Sequence, residues 1–144
     1  MPICEILTIG AELLNGSTLN TNARFLSERL SAIDFDVLHQ SSCQDHISEI
    51  RDALSLAFSR SDLILVTGGL GPTPDDVTRE AIAAYFHCGL KFHPAQYRNV
   101  TRFFKKKNQK TPYLTKCECF FPKTAKPLLN RFGIALGFYI KIGQ

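Results

Sequence analysis

Asp75 and Asp76 stand side by side behind a run of glycines in VTGGLGPTPDDVTRE, residues 66–80. Gly68, Gly69 and Gly71 follow an apolar run and precede a helical pattern. A turn in that position can bring backbone N–H groups close to a phosphate, and a helix start adds partial positive charge there. Two carboxylates beside an anion cradle repel the anion unless a cation stands between them. Paired carboxylates and phosphate oxygens are the donors a divalent ion of the Mg, Mn or Co class takes. The spacing admits two readings. In one, Asp75 and Asp76 hold a metal against a diphosphate and are catalytic. In the other, Thr73 is an N-cap, Pro74 the first helical residue, and the acids an ordinary charged first turn. Neither G-x-x-x-x-G-K-[ST] nor G-x-G-x-x-G is present.

A second loop has the same character. GAELLNGSTLNTNARF, residues 10–25, follows the first apolar run and carries Glu12, Asn15, Ser17, Thr21 and Asn22. Asn and Thr there also suit helix caps. Ligands of open parallel α/β sheets bind at the carboxyl ends of strands, so Glu12 is expected to approach Asp75 and Asp76.

The elements that must position these loops follow from periodicity. Residues 3–9 read as a strand, and 19–33 as a helix with Leu19, Ala23, Leu26, Leu30 and Ile33 on one face. Residues 35–42 alternate like a short strand. Residues 45–60 start on Asp45 as N-cap and carry Ile47, Ile50, Leu54 and Phe58. DLILVT is a buried strand, followed by a helix over 74–87. A further helix runs from Pro94 to Lys106 with Tyr97, Val100 and Phe104 facing inward. The stretch 111–133 is weakly patterned, and 134–142 reads as a last strand. The β-α-β-α-β-α order implies a mainly parallel sheet covered by helices on both faces, a three-layer α/β/α fold in one domain spanning residues 1–144.

Composition narrows the class. The chain has 144 residues, 44% hydrophobic and 21% charged, as a globular protein has. No apolar run approaches the roughly 20 residues of a membrane helix. The first residues read as a strand rather than a signal peptide, and five scattered cysteines suit a reducing compartment. A cytoplasmic location and no membrane partner are expected. Residues 1–97 hold 6 Lys/Arg against 12 Asp/Glu, and residues 98–144 hold 11 against one. Halves of net −6 and +10 favour self-association into a dimer or trimer. Nucleic acid is not an expected partner, because the basic half lacks a spaced aromatic stacking platform. Cys117-x-Cys119 fits no common zinc spacing.

The motif VTGGLGPTPDDVTREAIA closely resembles the T-G-G-L-G-P-T-x-D-D-x-T-x-E-A signature of the competence/damage-inducible CinA family. Its N-terminal domain has the molybdopterin-binding, MoaB/Mog-like fold. IGAELLNGSTLNTNARFLSERL and FPKTAKPLLNRFGIALGFYI resemble two further segments of that family. The resemblance implies metal-dependent hydrolysis of a nucleotide diphosphate such as ADP-ribose to AMP and ribose 5-phosphate. Asp76, Asp75 and Glu12 would hold the divalent ion. Thr67, Gly68, Gly69, Gly71, Thr73, Asn22, Thr78, Asn130 and Gly133 would bind the phosphate or nucleotide. The pattern departs at Ala11 and Asn20, where the family has acids, and at Ile134 and Leu136. The chain also stops before the family's P-G-x-P loop and C-terminal deamidase domain. The alternatives are a non-catalytic binder of a nucleotide or molybdopterin-type ligand, and nucleotidyl transfer to a pterin.

Overall fold

The computed structural model describes residues 1–143, which form two compact units, Met1–Gly69 and the residues from Leu70 onward. In the first, β1 (Ile3–Ile9) is followed by a single turn α1 (Ala11–Leu14) and by α2 (Thr21–Ser31). Then come β2 (Asp36–Cys43), α3 (Ile47–Phe58) and β3 (Leu63–Thr67). The three strands form a parallel sheet in the order β2-β1-β3, so β1 is central.

Because strand side chains alternate between faces, β1 serves two layers. Cys4 and Ile6 pack with Ala23 and Leu30 of α2, joined by Leu26, Val37 and Leu65. Leu7 and Ile9 are buried as well, and α3 packs on β1 and β2 through Ile50, Leu54 and Ala57. The three-layer expectation holds in this unit. Two polar residues of β1, Glu5 and Thr8, are buried, and Glu5, the charged one, wholly so. Arg60 meets it with Nε to Oε2 and Nη2 to Oε1, both at 2.8 Å, and Ser41 Oγ donates to Oε1 at 2.6 Å. That two-pronged pairing satisfies the buried charge and holds the Glu5 carboxyl below the usual glutamate range.

The second unit contains α4 (Thr78–Tyr85), β4 (Leu90–Phe92), α5 (Pro94–Lys106) and a 3-10 helix (Tyr113–Cys119). Three short strands follow: β5 (Phe120–Pro122), β6 (Lys126–Leu128) and β7 (Gly137–Tyr139). They pair antiparallel as β4-β5 and β6-β7. Phe121 is buried at the centre, with the rings of His93 and Phe138 edge-on to it.

Four sequence expectations are corrected. The last strand, expected over 134–142, is only Gly137–Tyr139 and pairs antiparallel with β6. Its first residue, Gly137, sits against Leu128, a hairpin pairing that three-residue strands do not advertise. On α5, Val100 faces inward as expected, but Gln96 takes the buried place beside it and Tyr97 is 37% exposed. Gln96 Nε2 donates to the Ile134 carbonyl, so an amide outcompetes a ring there. Leu19 and Ile33 lie outside α2 and are exposed. Asp45 does not cap α3. Its Oδ2 instead accepts the Ala11 N–H at 3.0 Å, one of the donors that the start of α1 leaves without an intrahelical acceptor.

Candidate anion-binding site

The carboxyl end of the parallel sheet is built from the ends of β1 and β3. Gly68 follows β3 with φ +103, and Gly69 with φ +65. A Cβ at Gly68 would fall on the Ile9 carbonyl oxygen, so the two strand ends approach each other at a distance only glycine permits. One reason for the glycine is therefore packing. The two successive residues at positive φ also lie at a strand's carboxyl end, the place where open parallel sheets hold ligands and where such turns hold anions.

Beside them Asn22 Nδ2 donates to Thr67 Oγ1 at 3.2 Å. The structure thus brings together Asn22, Thr67, Gly68 and Gly69 of the expected set. Asn20 is the N-cap of α2: its Oδ1 accepts from Ala23 N at 3.1 Å while its Nδ2 donates to Thr8 Oγ1 at 3.1 Å. An amide does both jobs, whereas an acid at that position would serve only as acceptor. Glu12 lies exposed in α1, with its carboxylate packed over the α-carbon of Gly10.

In the second unit, residues 70–77 form turns rather than the start of a helix. The helix begins at Thr78 with Val77 as N-cap, four residues later than the Thr73-Pro74 pattern suggests. The Thr73 cap expectation is corrected by Asp76, whose Oδ2 accepts both the Thr73 N–H (2.9 Å) and the Thr73 hydroxyl. Asp76 N–H in turn donates to the Thr73 carbonyl at 3.0 Å, and Val77 N–H to the Asp75 carbonyl at 3.0 Å. A closed turn results, and it diverts the chain from helical geometry. Gly71 belongs to it, since a Cβ there would lie 2.7 Å from Asp76 Oδ2. Asp75 is exposed and Thr78 is buried at the first position of α4.

Asn130 and Gly133 share another loop. Asn130 Oδ1 accepts from Phe132 N at 2.9 Å and its Nδ2 donates to the Ala135 carbonyl at 2.8 Å. Both polar ends of Asn130 are engaged in shaping that loop. Among the described residues, no three His, Cys, Asp or Glu side chains gather as a metal-holding group. The five cysteines are free. Burial pushes the Cys119 thiol up to about 11, and Cys117 Sγ donates to the Leu114 carbonyl.

Sequence reasoning missed Arg79. It is 1% exposed, and its Nη1 and Nη2 donate to the carbonyls of Leu70 (2.6 Å) and Gly71 (2.9 Å). Its position three and four residues before buried Ile82 and Ala83 was the available signal, because it puts the cation on the inward face of α4. Arg79, Asp76 and Glu80 also line a cavity of about 560 Å³ whose other wall is Tyr113, Lys116 and Cys117.

A sequence-family profile described as a probable molybdopterin binding domain matches residues 5–140. The crystal structure of the protein CinA, with unknown function, from Thermoplasma acidophilum covers 99% of this chain and 83% of its own, at TM-score 0.89 and 30% identity. The chain belongs to the CinA family, within the probable molybdopterin-binding domains. A competence-damage inducible protein described in Caldicellulosiruptor saccharolyticus is 37% identical over 139 residues, 96% of this chain and 34% of the relative. This CinA-family chain therefore spans about a third of the length of the curated relatives it matches. The molybdopterin biosynthesis enzyme MoaB from Thermus thermophilus is similar at TM-score 0.56 and 26% identity, over 80% of this chain and 70% of that one. The MoaB/Mog-like fold read from the glycine motif is confirmed. No helix among the described residues is long and apolar enough to cross a membrane.

Proposed function

We propose that this CinA-family chain binds a phosphate-bearing nucleotide or pterin and hydrolyses a nucleotide diphosphate such as ADP-ribose to AMP and ribose 5-phosphate. The observation that carries the reading is the carboxyl end of β3. Two successive residues of positive φ, Gly68 and Gly69, stand there beside the Asn22–Thr67 hydrogen bond. Backbone N–H groups held in such a turn stabilise charge on phosphate oxygens without reorganising as it develops. Asn22 and Thr67 add neutral donors that do not repel an anion.

A divalent ion suits the donors present. Asp75, Asp76 and the Thr73 hydroxyl offer oxygen only, and Mg-class ions are commonly held by one or two carboxylates together with the substrate's own phosphates. Asp75 and Asp76 would hold such an ion, with Glu12 as the further acid. When bound, it neutralises the diphosphate and acidifies a water. Asp76 holds the turn at Thr73 with Oδ2, which fixes where its other oxygen points. The roles of these acids come from the family resemblance and the chemistry of their side chains.

The second reading, binding without turnover, is favoured by Ala11 and Asn20. Neither can supply a carboxylate, and Asn20 is already committed to Ala23 and Thr8. The deciding experiment incubates ADP-ribose with the purified protein, with and without Mg, Mn or Co, and measures AMP by chromatography and binding by calorimetry. Metal-dependent AMP release supports hydrolysis. Binding without AMP selects the second reading, and no binding of ADP-ribose, pyrophosphate or a pterin phosphate overturns both.

A further inference from the structure

Arg79 is a buried guanidinium whose fork ends on two backbone carbonyls of the glycine turn, Leu70 and Gly71, rather than on a carboxylate. Its Nε has no hydrogen-bond partner. Burying a charge is costly unless its field or its hydrogen bonds are used. Here the hydrogen bonds point at the turn, while part of the field falls on the buried Glu118.

The peptide between Leu70 and Gly71 is planar, so drawing the Leu70 carbonyl toward Arg79 turns the Gly71 N–H to the opposite side. The next carbonyl, of Gly71, belongs to a peptide bond whose nitrogen is Pro72, so holding it inward hides no donor. The cation beneath also raises the potential at the outer face, through an interior that screens it poorly.

We propose that Arg79 is a positioning residue for phosphate: it fixes the Gly71 N–H outward and supplies the buried positive charge that draws a phosphate to the Leu70–Gly71 turn. This inference rests on the reading that the chain binds a phosphate-bearing ligand. Arg79 acts through the turn and does not touch the ligand.

The test uses inorganic pyrophosphate on the whole chain. In the wild type, amide spectra recorded during titration should show the Gly71 N–H among the most strongly shifted signals. Arg79→Lys keeps the charge but not the fork, and should weaken pyrophosphate about tenfold when measured well below its melting temperature. Arg79→Ala should lose more, and millimolar guanidinium should restore part of the affinity. A merely structural residue would lower the melting temperature of both variants and leave the affinity of the folded protein unchanged. That result overturns the inference, as does a saturated wild type in which the Gly71 amide stays still while others move. If the variants do not fold, the wild-type spectra decide. If pyrophosphate moves no amide at all, the phosphate reading falls with the inference; if it moves only others, the inference alone falls.

Discussion

Asp76 Oδ2 closes a four-residue turn by accepting the backbone N–H of Thr73 at 2.9 Å together with the Thr73 hydroxyl. One carboxylate thereby shapes the loop that precedes α4, and the same side chain is proposed to bind a divalent ion. The two roles separate by substitution. Asp76→Asn keeps an acceptor for Thr73 and weakens a charge-assisted bond, so the fold should lose about 1 kcal/mol. Metal-dependent AMP release should fall by orders of magnitude, because a ligand carboxylate is gone. Melting temperature and ADP-ribose turnover, with and without divalent ion, are the measurements. Equal turnover in both proteins would leave Asp76 a turn residue only.

Gly68→Ala tests the strand-end junction. An alanine there would need φ +103 and would set its Cβ on the Ile9 carbonyl oxygen, which is backbone and cannot swing aside. Strain and overpacking together should cost about 3 kcal/mol or more. A urea midpoint within error of wild type would show that the junction relaxes freely.

Restoring the acids of the family pattern is a gain-of-function test with a predictable penalty. Asn20→Asp keeps the cap on Ala23 but loses the donor to Thr8 Oγ1, so stability should fall by about 1 kcal/mol. Ala11→Asp brings a carboxylate toward Asp45, which already accepts the residue 11 N–H, and repulsion should add to the loss. If missing ligands limit catalysis, the double variant should release AMP faster than wild type at saturating metal. A double variant that folds, binds ADP-ribose and turns over no faster would set aside ligand loss as the limit.

The parallel half of the fold was legible because its signals are long. β1, β2 and β3 are five to eight residues each, and the helices between them carry apolar residues at regular spacing. The second unit was illegible for the converse reason. β4, β5, β6 and β7 are three residues each, too short to show a period, and their partners are set by packing around Phe121. In the site, glycines and acids stood out by type, but their uses did not. Thr73-Pro74-Asp75-Asp76 has the composition of a helix start, and only the contact between Asp76 and Thr73 shows that the turn is stabilised against becoming one. Arg79 was hidden because a charged residue in a helix is ordinarily solvated. Only its burial reveals that it serves the loop before it.

Two buried glutamates should give opposite signatures on acidification. Glu5 is held below the usual glutamate range, first by the hydrogen bonds from Arg60 and then by that from Ser41, against the cost of burial. A carboxyl depressed on folding contributes stability above its unfolded pKa, and loses it as pH falls through the folded value. Glu118 is pushed upward by burial and by Asp76, with Arg79 pulling the other way, and its Oε2 has no hydrogen-bond partner. A carboxyl raised on folding is the reverse: it favours folding below its unfolded pKa, and that advantage is lost as pH rises through the folded value. At pH 7, then, Glu5→Gln should lower the urea midpoint because it breaks the paired charge, while Glu118→Gln should raise it because a neutral amide is cheaper to bury. Below the ordinary glutamate range the wild-type carboxyls are neutral in the unfolded chain, and both differences should shrink. Urea midpoints at pH 7 and near pH 3.5 for the three proteins give the comparison. A Glu118→Gln protein less stable than wild type at pH 7 would mean that the ionised carboxylate is held by Arg79, and the account of Glu118 as an unmatched buried acid would be wrong.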